Sequence, residues 1–226
     1  YPDGDVRWHQ WTIRGIFDKE GALIELQGVG RDVTDRRKQE DYERAITNGL
    51  RAVVTAADEL ISCPDVDTVY RRAVEIGRAR LGLERCAIFI QNGPNMVGTY
   101  GTDRHGEITD ERTHSFPLVR EWTERFQSLR PEEPRMLVVE QPFIEINNGV
   151  LSTFGFGWIA ITPILSGSTV IRVLCNDTAL TGKAIDESQQ EIVSVFCSML
   201  GAVIQRKRTE DTLRQMHGYY EKLLRK

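Results

Sequence analysis

Cysteines are the residues of this chain with the widest chemical repertoire, and their spacing assembles no site. The four cysteines are far apart and form no CxxC pair, so they match neither a zinc-binding pattern nor a disulfide framework. Three of them have apolar neighbours on strands or in a helical stripe, which predicts small buried hydrophobic residues. These three are Cys86, Cys175 and Cys197, whereas Cys63 precedes Pro64 and is free to be exposed.

Histidines and acids are concentrated in one polar segment, residues 102–116. Side chains of these types can bind a metal, but their spacing follows no regular ligand pattern, so we expect a solvated loop and no metal site. The residues in question are His105, His114, Asp103, Asp110 and Glu111.

His217 is the remaining histidine with a chemical interpretation, because a helical histidine can accept a phosphoryl group. Such a phosphoacceptor usually precedes an acidic residue that serves as a base, but Gly218 follows here, which indicates a surface histidine. No serine, cysteine or carboxylate pair has a context that would activate it. The sequence therefore favours neither an enzyme nor a bound cofactor in this chain.

Composition and charge exclude several classes of protein. Hydrophobic residues make up 40% and charged residues 27% of the 226 residues, which is typical of a folded globular protein. The net charge of −4 disfavours binding to nucleic acid or to an anionic membrane, and no run of about 18 apolar residues predicts a membrane span. Because unpaired cysteines suit a reducing compartment and Tyr1 lies in a predicted strand, we expect part of a longer cytoplasmic polypeptide.

The first elements form a hairpin followed by a helix. Residues 5–17 and 22–33 alternate apolar and polar side chains around the turn DKEG, which predicts two antiparallel strands. Gly28 and Gly30 leave room on the second strand for a bulky neighbour or a bend. The pattern then changes to apolar residues at spacings of three and four, which predicts a helix over 35–62.

The junction between strand and helix resembles the end of a PAS domain. Asp32 or Thr34 is predicted to cap the helix, since either side chain can accept from the first free N–H groups. Residues 4–40, and above all the sequence DVTDR from Asp32 to Arg36, resemble the closing motif of that family. The resemblance implies a signalling joint at Asp32, Thr34 and Arg36 and covers no PAS ligand pocket, so it implies no PAS cofactor.

The order of elements from the connecting helix onward resembles a GAF domain. Two helices, two strands, a variable stretch, two more strands and a long final helix follow in turn, with residues 158–177 and 184–204 resembling the end of that family's sheet and its last helix. The resemblance covers roughly residues 48–207. The fold class it implies is α+β: a GAF-type antiparallel sheet flanked by helices, preceded by a PAS-type β-hairpin and long connecting helix, and followed by a long coiled-coil-like helix.

Departures from the GAF pattern bear on ligands. Arg172 replaces a small residue on an apolar strand, so it is expected on the open face of the sheet or facing an anionic partner, and the open face is favoured. The cyclic-nucleotide signature is reduced to Asn176, and no bilin-attachment motif is present. An unidentified small-molecule ligand stays open. The pocket candidates are Phe89, Tyr100, Phe116, Trp158 and Arg172.

The final helix carries a heptad-like spacing that predicts a partner helix. Apolar residues recur at steps of four and three, are interrupted at Arg206 and Glu210, and resume at Leu213. This favours a homodimer through helices 38–62 and 187–226. The alternative is that the first half of the last helix packs on its own sheet. The residues assigned to the dimer helix are Ile192, Phe196, Met199, Val203 and Leu213.

These features predict a sensory and relay region that passes conformational signals to an output domain outside this chain. The expected parent is a sensor histidine kinase, by analogy with the way such modules are combined. A cyclic-dinucleotide enzyme or a transcriptional regulator could carry the same parts, and a self-contained GAF-fold enzyme is a further alternative. The predicted boundaries are 1–36 for the PAS end, 37–62 for the connecting helix, 63–186 for the GAF domain and 187–226 for its last and outgoing helix.

Overall fold

The structure is a computed structural model that describes residues 6–128, 135–147, 150–166 and 169–224. The chain forms two compact units, Tyr1–Thr47 and Asn48–Lys226.

The first unit contains the predicted hairpin. Strands β1 (His9–Phe17) and β2 (Leu23–Asp32) are antiparallel. The turn between them is closed by Asp18, whose carboxylate accepts from the Ala22 N–H at 2.7 Å. The ring of Trp11 lies directly over Gly30, where a Cβ atom would come within 2.9 Å of it. The prediction that this strand leaves room for a bulky neighbour is therefore confirmed.

Helix α1 (Thr34–Ser62) follows β2 with a single residue between them and ends two residues before Pro64, close to the predicted bounds. The second unit then adds α2 (Val66–Ala79), α3 (Arg120–Ser128) and α4 (Glu187–Leu224). Asp65 caps α2 by accepting from the Thr68 N–H at 2.7 Å, which satisfies one of the free donors of the first turn.

The second unit is built on an antiparallel sheet of seven strands. Their order across the sheet is β5-β4-β3-β9-β8-β7, with β6 also paired to β4. The strands are β3 (Arg85–Asn92), β4 (Asn95–Thr102), β5 (Ile108–Asp110), β6 (Ser115–Pro117), β7 (Leu137–Asn147), β8 (Val150–Ser166) and β9 (Thr169–Asp177).

The two faces of this sheet are covered by different elements. Helices α2 and α4 pack against one face, which we call the helix side. The other face, which we call the cavity side, carries α3 and an apolar cluster that includes Phe89, Phe126 and Val173. Because side chains alternate along a strand, Arg172, Leu174 and Asn176 of β9 share the helix side, while Val173 and Cys175 share the cavity side.

The structure differs from the sequence pattern in two places. Residues 143–147 and 150–158 lack a clear period in sequence, yet they belong to a long ladder of β7 and β8. A β-bulge between Phe143 and Ile144 shifts the alternation, which hides the strand period. The polar segment 102–116, predicted as a loop, contains the short strand β5 and most of β6, which ends at Pro117.

Candidate ligand cavity and helix joint

A cavity of about 100 Å³ lies on the cavity side of the sheet, in the second unit. It is smaller than the roughly 300 Å³ at which small-molecule pockets usually begin. Strands β3, β8 and β9, the segment around β6 and helix α3 each contribute to its wall. The lining residues are Arg85, Cys86, Ala87, Phe89, Thr102, Glu111, His114, Phe116, Trp122, Gln141, Pro142, Ile144, Ile159, Ile161, Cys175 and Asp177.

One wall of the cavity is aromatic. The Phe89 ring contacts the Phe116 ring edge-on with centroids 5.2 Å apart, and Phe116 contacts Trp122 at 6.0 Å. The imidazole of His114 lies 5.5 Å from Phe89 in the same edge-on manner. Such contacts hold the rings in fixed orientations around the cavity.

His114 belongs to this wall and not to a solvated loop, which corrects the prediction for it. Its ring is half-buried against the two phenylalanines, and burial lowers its pKa because the apolar surroundings disfavour the charged imidazolium. His105 is exposed, as predicted.

The opposite end of the cavity is charged. Arg85 and Asp177 are paired positions on β3 and β9, and the Nη1 atom of Arg85 lies 3.7 Å from a carboxylate oxygen of Asp177. The Nη2 atom of Arg85 donates to the Ile144 carbonyl at 2.7 Å, and Phe154 covers the guanidinium with its ring centroid 4.8 Å from Cζ. Burial raises the pKa of Asp177, while the charge of Arg85 opposes that rise.

Glu111 supplies a second carboxylate to the charged end. Its side chain lies over Gly101, where a Cβ atom would displace the carboxylate from its present position. The Thr109 hydroxyl donates to Oε1 of this carboxylate at 3.1 Å. Burial raises the pKa of Glu111, and the Thr109 hydrogen bond and the Arg85 charge partly offset it. Sequence reasoning placed Glu111 in a solvated loop and did not single out Arg85.

The structure brings only two of the five predicted pocket residues to the cavity. Phe89 and Phe116 line it. The Tyr100 hydroxyl instead donates to Asp67 of α2 at 2.8 Å, and the Trp158 indole donates to the Lys183 carbonyl at 2.9 Å. Arg172 is the fifth and lies on the helix side.

The prediction that Arg172 lies on an open face is wrong. Its side chain is fully buried, and Nε donates to the hydroxyl of Tyr70 on α2 at 2.5 Å. Its two terminal nitrogens have no hydrogen-bond partner in the described part of the chain, and no anionic residue compensates the charge. Burial consequently lowers the pKa of Arg172.

The cysteines are mostly core residues. Cys86 and Cys197 are buried as predicted, and burial raises the pKa of Cys86 to about 12. Cys63, whose exposure the sequence left open, is also buried. Cys175 lines the cavity, and burial raises its pKa, which disfavours a reactive thiolate. Within the described ranges, no three His, Cys, Asp or Glu side chains are grouped to hold a metal ion.

The strand-to-helix joint of the first unit is held by two side-chain hydrogen bonds. The Asp32 carboxylate accepts from the Thr34 N–H at 2.9 Å, and the Thr34 hydroxyl accepts from the Trp8 N–H at 2.8 Å. The Val33 N–H in turn donates to the Trp8 carbonyl.

The bonds place the roles of these residues more finely than the sequence did. Val33 accepts the first helical bond from Arg37, so the capping position is Val33 itself. The Asp32 carboxylate accepts from the first N–H of the helix, and this hydrogen bond holds the pKa of the carboxyl below its usual range. Thr34 instead ties the helix back to the residue before β1. Arg36 takes no part in these bonds. Its Nε atom lies 3.6 Å from a carboxylate oxygen of Glu40, one turn along the helix.

Most residues assigned to the dimer helix are used inside the second unit. Ile192, Phe196 and Val203 are buried, and Ile192 fills the space beside Gly49 of α1. Met199 is half-buried, and only Leu213, at 61% exposure, is free on the surface. The alternative that the first half of α4 packs on its own sheet is the arrangement observed. The resumed apolar positions Tyr220 and Leu224 have side chains outside the described set.

The fold and the cavity together match a known class of sensory and regulatory domain. The chain belongs to the GAF domain family, whose model matches residues 65–204, from the cap of α2 through the buried half of α4. The predicted GAF resemblance is confirmed, whereas the PAS-type identity of the hairpin stays a prediction.

Solved structures with similar folds come from several kinds of protein. A bacteriophytochrome from R. palustris matches with a TM-score of 0.58 and 13% identity, over 78% of this chain and 41% of that one. The GAF domain of a phosphoenolpyruvate-protein phosphotransferase from Coxiella burnetii matches with a TM-score of 0.55 and 13% identity, over 74% of this chain and 98% of that one. A phycoerythrobilin-bound GAF domain from a cyanobacterial phytochrome matches with a TM-score of 0.53 and 11% identity, over 73% of this chain and 98% of that one. At these identities the likeness concerns the fold alone.

The comparison with curated proteins gives no match. Among the described residues, no helix has the length and apolar character needed to cross a membrane.

Proposed function

We propose that this chain is the sensory and relay region of a cytoplasmic signal-transduction protein, with a sensor histidine kinase as its parent. In this proposal a small molecule occupies the GAF cavity, and its presence alters helices that lead to an output domain. The observation that carries the proposal is the division of α4. One uninterrupted helix of 38 residues buries side chains from Ile192 to Ile204 in the domain core, whereas Leu213 and Met216 further along it are exposed.

The division gives the helix a mechanical role. Phe196, Leu200 and Ile204 are completely buried, so a repacking of the core moves this part of α4. Leu213 and Met216 on the same helix are 61% and 49% exposed. Because helical hydrogen bonds make the segment stiff over this length, a shift at the buried end reaches the exposed end.

A homodimer fits this role, although its contacts differ from the predicted seam. Val203 is buried in its own domain, so it cannot contact a partner. Exposed apolar side chains recur instead at Val54 of α1 and at Val195, Leu213 and Met216 of α4. Val195 and Met216 are three heptads apart, which places them on one helix face and suits a parallel partner helix.

The hairpin joint completes the proposed relay. In this proposal the first unit is the end of a PAS domain, and Asp32 and Thr34 transmit movement of its strands to α1. The bonds from Asp32 to Thr34 and from Thr34 to Trp8 support the proposal, because they fix the first turn of the helix to both strands.

A fusion experiment tests the relay. The chain is joined through α4 to the dimerisation and catalytic domains of a histidine kinase, with one to seven residues inserted after Leu224. We expect autophosphorylation to rise and fall with a period of about 3.5 insertions, since the rotational phase of the helix sets the output. Activity that is independent of insertion length would refute a helical relay.

The dimer is tested by sedimentation equilibrium at micromolar concentration. Leu213→Asp is expected to weaken a dimer by placing a charge in the seam, and Arg214→Asp on the neighbouring exposed position is the matched control. A monomer that persists as concentration rises would contradict the dimer.

The joint is tested by hydrogen exchange. Asp32→Ala removes the acceptor of the Thr34 N–H, so exchange at residues 35–45 is expected to rise while strands β3 and β8 keep their protection. Asp41→Ala, an exposed aspartate on the same helix, is the control. Unchanged protection of the first turn in Asp32→Ala would show that packing alone holds the helix.

A further inference from the structure

We infer that the GAF cavity binds a small zwitterion, an amino acid with a short aliphatic side chain. The inference rests on the proposed ligand-sensing role of the cavity and names the chemistry of its ligand. Three features carry it: a buried cation with donors that have no described acceptor, a partly buried carboxylate with one oxygen that has no described donor, and an apolar wall of limited size.

Arg85 provides the site for a carboxylate. Its side chain is nine-tenths buried and lines the cavity. Of its nitrogens, Nη2 is engaged by the Ile144 carbonyl, but Nε and Nη1 have no hydrogen-bond partner in the described part of the chain. Asp177 is too distant from Nη1, at 3.7 Å, for a hydrogen bond. Buried donors without acceptors are uncommon in native proteins, and a ligand that supplies an acceptor explains them.

Glu111 provides the site for an ammonium group. The only hydrogen bond described for its carboxylate comes from Thr109 to Oε1, so Oε2 is available to a ligand. Among the described residues that line the cavity there is no lysine, and Arg85, the one permanently charged cation, already lies beside Asp177. An ammonium group can therefore contact Glu111 without meeting a competing positive charge at close range.

The presence of both groups in one cavity distinguishes a zwitterion from simpler ions. An anion alone would satisfy Arg85 but would leave Glu111 unpaired and add negative charge beside two carboxyl groups. A simple amine would satisfy Glu111 but would leave the donors of Arg85 unused. A molecule with both charges pairs each group and leaves the net charge of the cavity unchanged, which avoids burial of an uncompensated charge.

The size and the remaining wall define the body of the ligand. A volume of about 100 Å³ admits only a small molecule, which favours an amino acid with a side chain of a few carbon atoms at most. Phe89, Phe116 and Ile161 present apolar surface to it. These features favour alanine or valine over larger amino acids.

The test uses ligands that differ by one charged group. Ethylamine is L-alanine without its carboxylate and propionate is L-alanine without its ammonium group, and binding of each compound to the full chain is measured by isothermal titration calorimetry. We expect saturable binding of L-alanine, with ethylamine and propionate weaker by about tenfold or more, since each leaves one buried charge of the site unpaired. The series L-valine, isobutylamine and isovalerate repeats the comparison with a larger body.

Variants locate the two contacts. Glu111→Gln keeps the shape of the side chain and is expected to weaken L-alanine by about tenfold or more while leaving propionate unchanged. Arg85→Lys is expected to weaken the binding of L-alanine and of propionate and to leave the binding of ethylamine unchanged. Circular dichroism verifies that this variant is folded. The control is Glu107→Gln, an exposed glutamate of the 103–107 turn, which should leave all affinities unchanged.

Other results would overturn the inference. Propionate that binds as tightly as L-alanine would make the cavity an anion site, and ethylamine that does so would make it a cation site. If none of the six compounds binds, the ligand class is wrong. The relay itself is judged separately, because the dependence of the kinase fusion on insertion length requires no ligand.

Discussion

The two faces of the GAF sheet each bury an arginine, and the two arginines have opposite surroundings. On the helix side, Arg172 is fully enclosed, and the one hydrogen bond described for its side chain goes to Tyr70. On the cavity side, Arg85 has unused donors beside an open volume lined by two carboxyl groups. Both residues have unpaired nitrogens, so an unpaired buried cation is not in itself the mark of a binding site. The adjoining space and the complementary charges distinguish the two.

This difference suggests a division of labour between the faces. The helix side joins the sheet to α2 and α4 with close packing, and it is where a change of shape is passed on. The cavity side has room for a molecule and the chemistry to recognise one. Four predictions test the contrast, in order of decreasing effect on stability.

The largest effect is expected from Gly201→Val on α4. A Cβ atom at this position would lie 1.8 Å from the carbonyl oxygen of Leu165, so the helix and β8 would have to separate. We expect a loss of about 3 kcal/mol in the free energy of unfolding, measured by urea denaturation. Ala202→Val, at the exposed neighbouring position, is the control. Equal stability of the two variants would show that the helix side is loosely packed.

The next largest effect is expected from Tyr70→Phe. It removes the hydroxyl that accepts from Arg172 and leaves the buried guanidinium without a partner, at a cost of about 1–3 kcal/mol in unfolding free energy. Adding Arg172→Met to this variant should recover most of the loss, because an apolar side chain of similar length needs no partner. A double variant no more stable than Tyr70→Phe would mean that Arg172 has a further role.

A smaller effect, of opposite sign, is expected from Glu111→Gln. The raised pKa means that the folded chain holds the proton of Glu111 more tightly than the unfolded chain does. At neutral pH the buried carboxylate therefore lowers stability, so its replacement should raise the melting temperature at pH 7. The gain should shrink as the pH falls towards the ordinary glutamate value of 4.5, where both states become protonated. A gain independent of pH would exclude the charge of Glu111 as its cause.

The smallest effect is expected from Ala87→Val on the cavity side. Ala87 lines the cavity, so we expect the added methyl groups to enter the open volume and the free energy of unfolding to change by about 0.5 kcal/mol or less. Urea denaturation beside Gly201→Val gives the direct comparison of the faces. A loss as large as that of the glycine variant would mean that the cavity collapses in solution.

The sequence predicted the elements better than the site, for a physical reason. The hairpin, α1 and α4 follow from local periodicity and from Pro64, and their bounds agree with the structure to within a few residues. Arg85 and Asp177 meet only because β3 pairs with β9, a register that the spacing of neither residue encodes. Arg172 was misplaced for the same reason, because its partner Tyr70 comes from a distant helix.

The segment 109–112 connects the inside of the GAF domain to its surface over a very short distance. Glu111 faces the cavity, while the adjacent Arg112 reaches outward to hydrogen-bond Asp67 in the first turn of α2 and the Tyr100 hydroxyl. A movement of the Glu111 carboxylate by a fraction of an ångström would thus be passed through Arg112 to the first turn of α2. Exposed ion pairs contribute little more than thermal energy to stability. The contacts of Arg112 can therefore break and re-form many times without unfolding the domain. Because salt screens exposed charges, the strength of this link between the cavity and α2 would vary with the salt concentration.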